Sequence, residues 1–198
     1  LYILGIKISE IRKEISKENY LKKINELKQL PDLIKLTLKC QDKIQIIAKD
    51  FLNAKGVMFL GRGFSFPIAL EGALKLKELS YLHAEGYPAG EMKHGPLALI
   101  EEGLPVIILA PKDRYFEKTI SNMQEVIARG GKVILITNEN RNVISENVRF
   151  TLKIPNADEY LTPFLMTIPL QLLAYHVASL KNYDIDKPRN LAKSVTVE

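Results

Sequence analysis

Along the first 55 residues, apolar positions recur every three or four residues, as in "LIKLTLKCQDKIQIIAKDFL". That spacing gathers them on one helix face, and Pro31 stands where a helix can begin. Two or three helices are predicted here. From residue 56 the pattern changes to short apolar runs closed by turn residues: "GVMFLG" (56–61), "LPVIILAP" (104–111), "GKVILIT" (131–137) and the weaker "RFTLKIP" (149–155). Such runs, without polar alternation, suit strands buried on both faces of a parallel sheet. Helical periodicity fills the intervals at 67–82 and 115–129 and returns in the apolar stretch 162–182. Strands alternating with helices predict an α/β sandwich with right-handed crossovers. The last stretch, "DIDKPRNLAKSVTVE", lacks a helical period and reads as an extended tail.

Composition narrows the class. The chain has 198 residues, 46% of them hydrophobic, enough for one sizeable domain plus an appendage. No apolar run reaches the roughly 18 residues of a membrane span. The opening "LYILGIKISEIRKEI" is interrupted by charge too early for a signal peptide, and the missing initial Met predicts a piece of a longer polypeptide. One cysteine, Cys40, rules out an internal disulfide and suits a reducing, cytoplasmic setting. Its neighbours in "LTLKCQDK" give it no catalytic company, so it reads as a plain helical thiol.

The net charge of +5 raises the question of nucleic acid. Residues 1–55 carry 12 Lys and Arg against 7 Asp and Glu, whereas residues 56–198 carry 16 of each. The excess is spread at helical spacing through the first segment, which reads as a solvated helix face and not a nucleic-acid surface.

Several stretches have the residue types chemistry needs. The first strand runs into "GRGFSFP" (61–67), where Gly61, Gly63 and Ser65 would touch a ligand at the carboxyl end of the sheet. The turn is not GxGxxG, since position 66 is Phe, and tight packing explains its glycines equally well. In the next helix Glu71, Lys75, Glu78 and Leu82 share one stripe, while Ala69, Ala73, Leu76 and Ser80 form a small apolar one fit for packing on a sheet. An exposed Glu71–Lys75 pair is the plain reading. Facing a cleft, Glu78 beside Lys75 would instead make a good base, since the neighbouring cation favours the ionised carboxylate. His83 and His176 keep apolar company and are expected in the core or packed between helices. His94, in the Gly/Pro-bounded "AGEMKHGP", is placed where function concentrates. No metal site is expected, because no cluster has ligand spacing. Lys193, near the end of the chain, reads by position alone as a surface residue.

Two long stretches, "GRGFSFPIALEGALKLKELSYLHAEGYPAGEMKHGPLALI" and "LTPFLMTIPLQLLAYHVASLKNYDIDKPRNLAKSVTVE", closely resemble the C-terminal part of the glutamine–fructose-6-phosphate aminotransferase (isomerizing) family, the glucosamine-6-phosphate synthases. The resemblance covers residues 56–198 almost continuously, and "PRNLAKSVTVE" is its most specific element.

It implies a second sugar isomerase (SIS) domain at 46–183, a flavodoxin-like three-layer αβα sandwich with a five-stranded parallel sheet. Residues 1–45 would be the end of a first SIS domain and a linker, and 184–198 a functional tail. A fifth strand near 82–87, invisible to periodicity, follows from the resemblance alone.

The implied reaction makes glucosamine 6-phosphate and glutamate from fructose 6-phosphate and glutamine, with no metal, pyridoxal phosphate or nicotinamide. Carried over by motif position, Glu78 shuttles the C1–C2 proton and Lys75 beside it holds developing negative charge. His94 is the ring-opening acid/base, supplied across a homodimer to the neighbouring site. Lys193 forms a Schiff base with the ketone. Glu71 lies behind them, and the tail contributes at Ala192. The family's Ser/Thr-rich phosphate loop and its glutaminase domain are absent from this sequence. The chain alone is therefore expected to fold and pair, but not to make glucosamine 6-phosphate. The alternatives are a sugar-phosphate sensor and a deglycase or deaminase of the same fold.

Overall fold

The computed structural model describes residues 1–140 and 147–191. Ala192 and Lys193, singled out above, lie outside the described residues.

The lead-in forms four helices, one or two more than expected: α1 (Tyr2–Ile11), α2 (Lys17–Lys28), α3 (Leu30–Leu38) and α4 (Gln41–Ala48). Ser16 opens α2 by accepting a hydrogen bond from the Asn19 amide at 3.1 Å, an N-cap. The junctions at Gln29 and Lys39 keep near-helical backbone angles. Apolar periodicity therefore runs across them, which is why the pattern alone merges the helices.

A five-stranded, all-parallel sheet follows, built from β1 (Gly56–Gly61), β2 (His83–Pro88), β3 (Pro105–Leu109), β4 (Lys132–Thr137) and β5 (Phe150–Lys153). Its spatial order is β2-β1-β3-β4-β5. Alternate residues of β1 serve two cores. Val57 and Phe59 join a cluster beneath α4, α5 (Ser65–Ser80) and α7 (Thr162–Leu180). Met58 and Leu60 join a second, beneath α6 (Phe116–Ile127). The result is the three-layer sandwich expected, with every residue of β3 buried.

The chain visits β1, steps outward to β2, then returns to β3 on the other side of β1. This reversal opens a crevice at the strands' carboxyl ends, where parallel sheets bind ligands. α5 begins at Ser65, so Pro67 falls in its first turn, where a missing N–H costs no helix bond.

One expectation needs correction, that for His83. α7 is long enough and apolar enough on average to cross a membrane, by length and composition only. Half of its apolar window is buried inside the fold, against α5, α4 and α3, so its apolar surface is that of a core helix. His83 is not in the core: its side chain is 74% exposed at the start of an edge strand, with Nε2 3.4 Å from Glu85. His176 is buried, as expected.

Candidate active site

α5 sorts its residues by face. Ala69, Ala73, Leu76 and Ser80 are all buried against the sheet and α7, and the Ser80 hydroxyl donates to the Leu76 carbonyl at 2.6 Å. Glu71, Lys75 and Glu78 line the other side, each about one-third exposed. Lys75 Nζ lies 2.6 Å from Glu78 Oε2 and 4.0 Å from Glu71 Oε1. The hydrogen bond to Glu78 pushes the Lys75 pKa above its ordinary value of 10.5, with the charges of Glu78 and Glu71 adding to it. Lys75 is thus a fixed cation, suited to holding negative charge and unsuited to nucleophilic attack. The helix ends at Ser80, so Leu82 leaves the charged stripe to which spacing assigned it and is buried instead.

The carboxyl end of α5 also receives the tail. Tyr81 caps the helix in the left-handed region at φ 58° and donates its amide to the Lys77 carbonyl. Its hydroxyl accepts a hydrogen bond from the Arg189 amide at 2.9 Å. The Arg189 guanidinium lies 4.0 Å over its ring, and the Tyr183 ring packs at 4.9 Å. Tyr81, three residues after Glu78, is a functional candidate that sequence reasoning missed. An aromatic residue at a helix end carries no signal of its own. From Arg189, the four further residues to Lys193 reach at most about 14 Å when fully extended.

His94 ends a 3₁₀ turn, Ala89–His94, that follows the carboxyl end of β2. Gly95 closes it at φ 138°, an angle that favours glycine. The His94 ring is 75% exposed, with Nε2 3.9 Å from Glu91. Lys93 reaches α6, placing Nζ 3.0 Å from Glu125 Oε1. Glu78, by contrast, lies just before the amino end of β2. The six residues of β2, about 17 Å long at ~3.3 Å per residue, lie between the two along the chain. Among the described residues of one chain, Glu78 pairs with Lys75 and the neighbour of His94 is Glu91.

The strand-end turn is compact. A Cβ on Gly61 would sit 2.3 Å from the Ser65 carbonyl oxygen, and one on Gly63, at φ 53°, 2.6 Å from the Tyr115 ring. The Ser65 and Phe66 amides donate to Arg62 and Gly63 carbonyls within the turn. Ser65 is buried, with its hydroxyl 3.7 Å from Met166 Sδ. Packing therefore explains the glycines. Beside the turn lies a space of about 50 Å³, lined among others by Ser65, Lys112, Asp113, Glu159 and Thr162. Burial raises the Asp113 pKa, and the charge of Glu159 adds to the rise. Asp113 and Glu159 outnumber Lys112 in this lining, a balance that disfavours a bound anion. Among the described residues, no group of three or more His, Cys, Asp or Glu gathers as a metal site would.

The family profile of the SIS domain matches residues 50–181. The glutamine–fructose-6-phosphate aminotransferase [isomerizing] of Bartonella quintana (strain Toulouse) is 56% identical over 176 residues, 88% of this chain and 29% of its own length. That of Aquifex aeolicus (strain VF5) is 48% identical over 198 residues, all of this chain and 32% of its own length. The chain thus spans about a third of the curated relatives it matches. Among solved structures, the C-terminal domain of glucosamine-fructose-6-phosphate aminotransferase from Francisella tularensis superposes with a TM-score of 0.90 at 42% identity, covering 93% of this chain and 52% of that one. Glucosamine-6-phosphate deaminase from Thermotoga maritima superposes with a TM-score of 0.67 at 26% identity, covering 95% and 52%.

Proposed function

Since this chain belongs to the SIS domain family, we propose that it is the isomerase part of a glutamine–fructose-6-phosphate aminotransferase, in which Glu78 moves the proton that turns ketose into aldose. The observation that carries this is the Lys75–Glu78 pair, 2.6 Å apart at the end of α5 where Tyr81 also fastens the tail. Base, fixed cation and the root of the Lys193 segment meet at one end of one helix.

The chemistry follows from those roles. His94 of a second copy opens the furanose ring of fructose 6-phosphate by moving a proton to the ring oxygen. The neutral Lys193 amine attacks the C2 ketone, and loss of water leaves a Schiff base. Ammonia released from glutamine takes over C2, freeing the lysine. Glu78 then removes a proton from C1 and returns it to C2, giving glucosamine 6-phosphate. A single carboxylate suffices because the two carbons are adjacent on one face of the enediol-like intermediate. Lys75 holds the negative charge that gathers on oxygen in between.

In this reading residues 1–45 are the end of a preceding SIS domain and its linker, 46–183 the second SIS domain and 184–198 the catalytic tail. Glu71 supports Lys75, and Ala192 lines the sugar site. Gly61, Gly63 and Ser65 shape the strand-end turn without holding the sugar phosphate, whose anchor lies in the preceding domain. The working unit is a cytoplasmic homodimer.

The test uses the polypeptide with its glutaminase and first SIS domains. Glu78→Gln is expected to lower glucosamine 6-phosphate formation by about 10²–10⁴-fold while glutamine hydrolysis persists. Borohydride reduction with fructose 6-phosphate should label Lys193. A Glu78→Gln protein with near-full synthase rate, or an unlabelled tail, would overturn the reading. The deaminase likeness, at 26% identity, supports the fold more than that chemistry.

A further inference from the structure

We propose that Glu125 of α6, with Asn122 one turn before it, fastens the His94 turn to the body of the domain and so sets where the imidazole is presented. The inference rests on the reading of His94 as the acid/base group. Neither α6 residue belongs to the motifs that suggested the reaction.

Three contacts hold the turn. The Arg62 guanidinium, from the loop after β1, donates through Nη1 to Asn122 Oδ1 at 3.2 Å. The backbone of the turn rests directly on that guanidinium, since a Cβ on Gly90 would lie 2.8 Å from Nη2. Met92, 1% exposed, plugs the α6-side core. Lys93 completes the fastening through its ion pair with Glu125 at 3.0 Å. Asn122 and Glu125, three apart on α6, present both acceptors from one helix face.

Among the described residues, His94 itself has no anchor as close: Glu91 lies 3.9 Å away, against 3.0 Å in the Lys93–Glu125 pair. A 3₁₀ turn has poor internal hydrogen-bond geometry and keeps its shape weakly. The position of the imidazole is therefore inherited from residues 90, 92 and 93. In the Lys93–Glu125 pair the lysine side chain is 65% exposed, and the constraint lies on the carboxylate. Glu125 Oε2 is buried without a hydrogen-bond partner among the described residues, so the carboxylate is held in a fixed, partly dehydrated pose. Glu125 is a positioning residue in this scheme, acting on the sugar only through His94.

Hydrogen exchange on the 198-residue chain and kinetics in the polypeptide with its remaining domains test this together. Lys93→Met and Glu125→Gln should each speed amide exchange across 89–95 by about tenfold while leaving β1 and β3 unchanged. Glu125→Gln should lower kcat about three- to tenfold with KM unchanged, and Lys93→Arg should stay within about twofold of the parent. In a His94→Asn background, Glu125→Gln should add no further loss. Unchanged exchange at 89–95, or an equal further loss without His94, would overturn the inference. A His94→Asn protein that keeps full kcat would instead overturn the acid/base reading beneath it, whatever the exchange rates do.

Discussion

His176 lies on α7 with Nε2 buried and unpartnered among the described residues, and burial lowers its pKa from the ordinary 6.5. The folded chain therefore favours the neutral ring, and between the two pKa values the unfolded chain binds more protons. Stability from this site is full above about pH 6.5 and declines as the pH falls through 6.5 toward the lower folded value. Urea unfolding of the parent should show a midpoint that drops over that window, and His176→Leu should flatten the drop; identical pH profiles would show that other groups carry it. His83 has similar apolar neighbours in sequence yet lies in solvent. Local company could not separate the two histidines. What separates them is that one faces a helix-packed core and the other begins an edge strand, and neither fact is local. For Glu78 and Lys75 spacing gave the shared stripe, but their 2.6 Å contact and partial burial came only from the packing around α5.

At the scale of elements, the legible strands were those buried on both faces. β1 falls on the residues its apolar run marked, and β3 and β4 lie within theirs. β2 reads "HAEGYP" because it is an edge strand with only β1 beside it. Ala84 and Gly86 turn toward α5, while His83, Glu85 and Tyr87 form the other face, where the Tyr87 hydroxyl bonds the Glu85 carboxylate. No apolar run can announce such a strand. Gly86 lets α5 close on it: a Cβ there would lie 3.0 Å from both Leu70 Cα and its amide nitrogen. Gly86→Val should therefore destabilise the chain by about 1–3 kcal/mol, read as a lower urea midpoint, with exchange protection lost first between β1 and β2. Unchanged stability would mean that α5 and β2 part without cost.

For the molecule as a whole, the proposed division of the site between two copies has a consequence for stoichiometry. If Glu78 serves its own copy's site and His94 its partner's, Glu78→Gln and His94→Asn proteins are each inactive at every site. Mixed and allowed to exchange subunits, they should recover about a quarter of parental activity, because half the dimers are mixed and each has one complete site. No recovery on mixing, with mixed dimers present, would put both groups in one chain's site. The sequence offered the candidates for the proposed site without an arrangement. Glu78, His94 and Lys193 stand at distant positions; in the fold β2 intervenes between the first two along the chain, and Arg189 comes onto Tyr81, three residues after Glu78. Tyr81 joins that root to α5 from a left-handed backbone position, one where glycine would relieve the helix end. Glycine there would also release Arg189. Under the role proposed for the tail, selection for a steadier fold and selection for a working tail pull this residue in opposite directions, so that relaxed demand on the tail should show first as drift at position 81.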